Sequence, residues 1–93
     1  MTKLTLKQAL EIVDKAPMRT EFAQFGHKQA YISAVVKIDG KSYVLFKSYR
    51  TIVALVDIDN QVVYRLGKWS STTSRQTTQF CNKYYRDYEQ VQF

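Results

Sequence analysis

The apolar residues of this chain change period twice, and each change marks a new kind of element. Leu6, Ala9, Leu10 and Val13 recur at i, i+3, i+4 and i+7, the single stripe of an amphipathic helix, which places a helix over Leu4–Ala16. Thr5 with Gln8 three residues on has the form of a capping box, so Thr5 is the predicted N-cap. Pro17 ends the helix because its ring cannot follow a helical turn. From Arg19 the period shortens. Arg19–Phe25 reads as a strand, Gly26-His27 as a turn and Lys28–Ile38 as a second strand. In that second strand Ile32, Ala34 and Val36 point one way and Tyr31, Ser33, Val35 and Lys37 the other. Asp39-Gly40 is the strongest turn signal in the chain, and Lys41–Lys47 is its return strand. Thr51–Ile58 and Val62–Leu66 make a second hairpin around Asp59-Asn60.

Helical spacing then returns. Phe80, Tyr84 and Tyr88 lie at i, i+4 and i+8 with Cys81 and Tyr85 beside them, which predicts a helix over Ser74–Gln90. Phe80, Cys81 and Tyr84 are expected to bury, leaving Tyr85 and Tyr88 partly exposed. Thr73, with Gln76 three residues later, is the expected cap. The result is one α+β domain over residues 1–93. It is a five-stranded antiparallel sheet with a helix at each end of the chain, order α-β-β-β-β-β-α, both helices expected on one face.

Loop length at Asp39-Gly40 decides which side chains share a face. A two-residue loop pairs Ile38 with Lys41, while a three-residue loop pairs Lys37 with Lys41. The longer loop sorts apolar from polar better. It is therefore expected, with Tyr31, Lys37, Lys41, Tyr43 and Lys47 on one wet face.

Charge sharpens this picture. Fourteen Lys+Arg against eight Asp+Glu give a net charge of +6. Arg65, Lys68, Arg75, Lys83 and Arg86 occupy the stretch from Asn60 to Arg86 without one acid. Such an excess favours an anionic partner: nucleic acid, or a nucleoprotein complex with an acidic surface. Two groups could meet it. The face Tyr31, Lys37, Lys41, Tyr43 and Lys47 offers aromatic rings to bases and lysines to phosphates. The helix start, with Ser71, Thr72 and Arg75, plus Lys68 close by in sequence, offers hydroxyls and unpaired backbone N–H groups to an anion, and Arg50 is a further basic candidate. Each has a plainer reading, a solvated sheet face and a routine polar cap.

Catalytic chemistry finds little to work with. His27 and Cys81 are the only His and Cys, too few for a zinc site, and Cys81 sits on an apolar helix face where a thiol is inert. Asp57 and Asp59 could hold a metal ion for a small nuclease, but a solvated turn accounts for them. Three glycines leave no phosphate-cradling loop. No cofactor is expected. The first residues carry no apolar run of the signal-peptide kind, and Ile52–Val56 is too short to span a bilayer, so no membrane role is expected. A single cysteine suits a reducing cytoplasm.

Two segments carry a resemblance. Ser48-Tyr49-Arg50-Thr51-Ile52-Val53-Ala54 fits S-Y-x-T-x-V-A, and Ser70–Phe80 resembles S-x-T-T-S-[RK]-H-x-x-x-F, with Gln76 in place of the His. The pair is similar to a group of small, uncharacterised phage and prophage proteins. The resemblance implies a phage setting in a bacterial host cytoplasm. By analogy it implies a non-enzymatic binding protein that engages host machinery, such as an anti-CRISPR-like counter-defence inhibitor. The alternatives are a small metal-dependent nuclease, or an oligomeric accessory protein that self-associates through its tyrosine surface.

Overall fold

The computed structural model describes residues 3–26 and 29–93, so the expected turn at His27 and the start of the strand at Lys28 lie outside the described residues. Helix α1 spans Leu6–Asp14. Its capping box forms as read: Thr5 Oγ1 accepts the Gln8 N–H at 3.2 Å and Gln8 Oε1 accepts the Thr5 N–H at 2.9 Å. Six strands follow: β1 Phe22–Gln24, β2 Ala30–Ser33, β3 Val36–Ile38, β4 Lys41–Ser48, β5 Thr51–Asp57 and β6 Val62–Arg65. Helix α2 is Ser71–Tyr84, and β7 Glu89–Gln92 closes the order. The strands form one sheet in the order β1-β2-β4-β5-β6-β7, with β3 on β4 beyond β2. Pairing is antiparallel except between β6 and β7, which are parallel and joined through α2. The α+β class stands, with seven strands among the described residues rather than five. Among the described residues no helix is long and apolar enough to cross a membrane.

The additional strands have physical causes. The long strand expected up to Ile38 breaks at Ala34-Val35. Ile32 pairs with Phe46 but Val36 with Tyr43, so this edge inserts one residue relative to β4. The ladder gap is filled by Ser33, whose Oγ accepts the Leu45 N–H at 2.8 Å. The insertion turns Ile32 toward α2 and Val36 toward α1, where one face had been expected for both. At the other end α2 stops at Tyr84 instead of running to Gln90. Tyr85, the residue that ends it, has φ −133° and ψ 38°, outside the helical well. The chain then returns as β7, and Val91 and Phe93 alternate inward from it.

The turn at Asp39-Gly40 has two residues, not three. Ile38 pairs with Lys41, and Asp39 and Gly40 sit at φ +52° and +80°, both positive as a type I′ turn requires. This turn twists as the strands do and therefore wins over the longer loop.

The helices lie on opposite faces of the sheet, against the one-face expectation. Val44, Phe46, Ala54 and Val56 face α2, where Phe46 stacks on Phe80 at 4.3 Å between ring centroids. Leu45, Leu55 and Tyr43 face α1 and pack with Ala9, Ile12 and Val13. Both sides of β4 and β5 are covered, so their central residues form continuous buried runs rather than alternating ones.

Candidate functional site

Ser70, not Thr73, caps α2: its side chain accepts the Thr73 N–H at 3.3 Å. One turn earlier than read, this start rotates Thr73, Gln76 and Thr77 onto the sheet-facing side, where all three are buried. They meet Ser48, the last residue of β4. Ser48 Oγ lies 3.1 Å from Thr73 Oγ1 and donates to Gln76 Oε1 at 3.1 Å. Ser70 Oγ in turn donates to Thr73 Oγ1 at 3.3 Å. The two segments singled out in the sequence are thus fastened together by a chain of hydroxyls that runs from exposed Ser70 to buried Thr73 and Ser48. Gln76 is only 7% exposed, and its Nε2 has no partner among the described residues. Immediately after Ser48, Tyr49 takes φ +56°, a left-handed conformation uncommon for a bulky residue.

Strand register gives the molecule two unlike ends. Asp39 and Asp59 occupy turns at one end, Asp57 ends β5 there, and Glu89 joins them because it pairs with Val62, itself opposite Asp57. At the other end lie the Tyr49-Arg50 turn, the Leu66–Trp69 connection and the start of α2. None of these carries an acid. Arg50, Lys68 and Arg75 are exposed there, and among the described residues none has an acidic partner. The positive end of the α2 dipole adds to them, and the N–H groups of the exposed Ser71 and Thr72 have no acceptor within the helix. Arg65 is half-buried beneath, its Nη2 donating to Ser74 O at 3.2 Å.

The expected sheet face does not form as a wet platform: register leaves Tyr31, Lys41, Tyr43 and Lys47 on one face, but that face packs on α1 and Lys37 turns away from it. Tyr43 is 3% exposed and belongs to the core on the α1 side, where burial, then Asp57, pushes its phenol up. Lys37 pairs with Ser42 and points to the opposite face from Lys41, because the turn is one residue shorter than expected. Both lysines stand among acids, as Asp59 accepts the Ser42 N–H at 2.9 Å and Asp39 pairs with Lys15 at 2.9 Å. Tyr31 and Lys47 are cross-strand partners, and Lys47 Nζ sits 4.1 Å from the Phe22 ring centroid and 5.2 Å from that of Tyr31. Lys47 is thereby occupied with its own aromatic neighbours. Of the sequence candidates, Arg50, Lys68, Ser71, Thr72 and Arg75 come together at the acid-free end; Tyr31, Lys37, Lys41, Tyr43 and Lys47 do not join them.

Asp57 is buried and accepts from the Asn60 backbone N–H at 3.1 Å and its side-chain amide at 2.8 Å, so it shapes a turn. Among the described residues no three His, Cys, Asp or Glu gather where a metal could be held. Cys81 is buried, and burial raises its thiol against a smaller opposing effect of Arg65. Tyr84 was expected to bury but is half exposed, since α2 ends there; with Phe22, Ile32, Val35 and Val44 it lines a groove of about 550 Å³.

Residues 9–92 match the model of a family of unknown function, DUF8033. The chain belongs to DUF8033. No curated protein and no solved structure matches it. In this DUF8033 chain, sequence reasoning passed over three residues of the basic end. Ser48 was read only as part of a pattern, yet it is the buried joint. Tyr49 and Trp69 are 54% and 42% exposed, large aromatics open to solvent beside Arg50 and Lys68. Their spacing to the other bases is set by tertiary pairing and is invisible along the chain.

Proposed function

We propose that this DUF8033 protein is a small, non-enzymatic binding module that engages nucleic acid, or a complex that processes it, through the acid-free end of its sheet. The observation that carries the reading is the gathering of Arg50, Lys68 and Arg75 around the start of α2 with no acidic partner among the described residues, while the turn acids collect at the far end. An anion approaching this end meets three cations and a helix dipole of the same sign, and at the other end meets acids interleaved with lysines. With the resemblance to small phage proteins, a host nucleic-acid-processing complex in the bacterial cytoplasm is the partner class favoured, and counter-defence inhibition the role. The test is affinity capture from bacterial lysate with and without nuclease treatment, repeated with Arg75→Glu and with Lys37→Glu. Arg75→Glu is expected to lose the partner and Lys37→Glu to keep it. Loss with Lys37→Glu alone would move the interface to the acid-flanked lysines and refute this reading.

A further inference from the structure

Two large aromatic rings stand open at the basic end, and each is one residue from an end of the same buried joint. Tyr49 follows Ser48, and Trp69 precedes Ser70, while Ser48 and Ser70 both bond Thr73 Oγ1, at 3.1 and 3.3 Å. The rings therefore flank the first turn of α2 from two sides. Trp69 is held by its own chain: its ring lies against Gly67, where an added Cβ would sit 3.4 Å from Cζ2. Large aromatics of a small domain usually seek the core, as Phe46, Phe80 and Tyr64 do here. Beneath the helix start, the Gln76 carboxamide is more than nine-tenths buried; its Oε1 accepts from Ser48 Oγ, and its Nε2 has no partner among the described residues. Buried polar atoms without partners are rare, and each calls for a physical explanation. Arg50, Lys68 and Arg75 surround these features.

We infer that the acid-free end binds single-stranded nucleic acid, with unpaired bases stacking on Trp69 and Tyr49 while Arg50, Lys68, Arg75 and the Ser71 and Thr72 N–H groups take the backbone phosphates. This deepens the reading of the basic end and rests on it. A duplex could satisfy the cations but not the rings, because its base faces are already stacked on one another. Only an unpaired strand offers both a π-face and a phosphate to the same small patch. An acidic protein surface would use the cations and leave both rings idle.

Trp69 is the single tryptophan, so its emission reports this end alone. The intact protein is titrated with a single-stranded pyrimidine oligonucleotide, with the duplex of the same sequence, and with inorganic polyphosphate, a polyanion without bases. The single strand is expected to quench Trp69 and to bind at least about tenfold more tightly than the duplex; polyphosphate is expected to bind without quenching. Trp69→Ala and Tyr49→Ala are each expected to weaken single-strand binding roughly 5- to 150-fold, the range for losing one base–aromatic stack, while changing polyphosphate binding less than about twofold. Urea denaturation confirms that each variant is folded, and because the two rings are separate, failure of one to fold leaves the other decisive. Equal affinity for duplex and single strand without quenching would overturn the inference and leave the basic-surface reading intact. Failure of all three polyanions to bind would overturn the inference and the nucleic-acid arm of that reading, leaving its complex-binding arm to the Arg75→Glu capture.

Discussion

Replacing Ser48 with alanine removes one oxygen atom from the joint between β4 and α2, and the structure sets what that should cost. The Ser48 hydroxyl is buried and contacts Thr73 Oγ1 and Gln76 Oε1, each at 3.1 Å. Gln76 Nε2 already lacks a partner among the described residues, so Ser48→Ala leaves both ends of a buried carboxamide unsatisfied. An orphaned buried polar group costs about 1–3 kcal/mol, and the alanine methyl recovers little, so a loss of about 2 kcal/mol is expected. For a domain of this size that lowers Tm by roughly 8–16 °C. Urea unfolding, followed by far-UV circular dichroism and by Trp69 emission, should show a lower midpoint with an unchanged slope. Gln76→Met removes the orphan amide at nearly constant shape and should cost less than about 1 kcal/mol or stabilise. The double variant should then be less damaged than the sum, with a coupling of about 1 kcal/mol. Ser48→Ala within about 0.5 kcal/mol of the parent protein, or strict additivity with Gln76→Met, would refute the reasoning.

Other outcomes follow from single sites. Gly40→Ala should destabilise by about 1 kcal/mol: φ is +80° and open space surrounds the new Cβ, so the cost is backbone strain alone, read as a shift in the urea midpoint. Phe80→Ala, which empties a fully buried ring stacked on Phe46, should cost about 3–5 kcal/mol and leave the protein largely unfolded at 37 °C by circular dichroism. Burial raises the Cys81 thiol and the Tyr43 and Tyr85 phenols, so these groups stay neutral when folded but ionise when unfolded. Their stabilisation is complete below their ordinary values of 9.0 and 10.0 and is lost as pH climbs past them, so Tm measured from pH 8 to 11 should fall progressively, and less steeply with Cys81→Ala at the start of that range.

What the sequence made legible was whatever local chemistry decides. The Thr5–Gln8 capping box formed because its donors and acceptors lie within one turn, and Pro17 bounded the helix it begins. The Asp39-Gly40 turn was certain in place but not in length; face sorting argued for three residues, and the twist of a type I′ turn decided for two. The opposed helices were readable in principle, since Tyr43–Phe46 and Ile52–Val56 are unbroken apolar runs, the pattern of strands covered on both faces. The last strand was hidden by the helical spacing of Phe80, Tyr84 and Tyr88, although Val91 and Phe93 alternate with Gln90 and Gln92. At the site, the helix-start residues were found because Ser and Thr before a periodic run signal a cap. Of the strand-face residues only Lys37 was reversed, by the one-residue change at the turn; at Tyr31 the extra residue at Ala34-Val35 cancels that change, and the face was misjudged because α1 covers it. Ser48 and Gln76 are far apart in sequence, and no local pattern could have joined them.

The central claim is that anions bind at the Arg50, Lys68 and Arg75 end and nowhere else on the sheet. Its most direct test is the salt dependence of binding to a labelled single-stranded oligonucleotide, from about 50 to 200 mM salt. Three phosphate contacts predict a log–log slope of roughly −2 on a single strand. The account predicts that slope for the parent protein and for Lys37→Glu/Lys41→Glu, and no measurable binding for Arg50→Glu/Lys68→Glu/Arg75→Glu. Retention of binding and slope by the triple variant, with loss in the double, would contradict it.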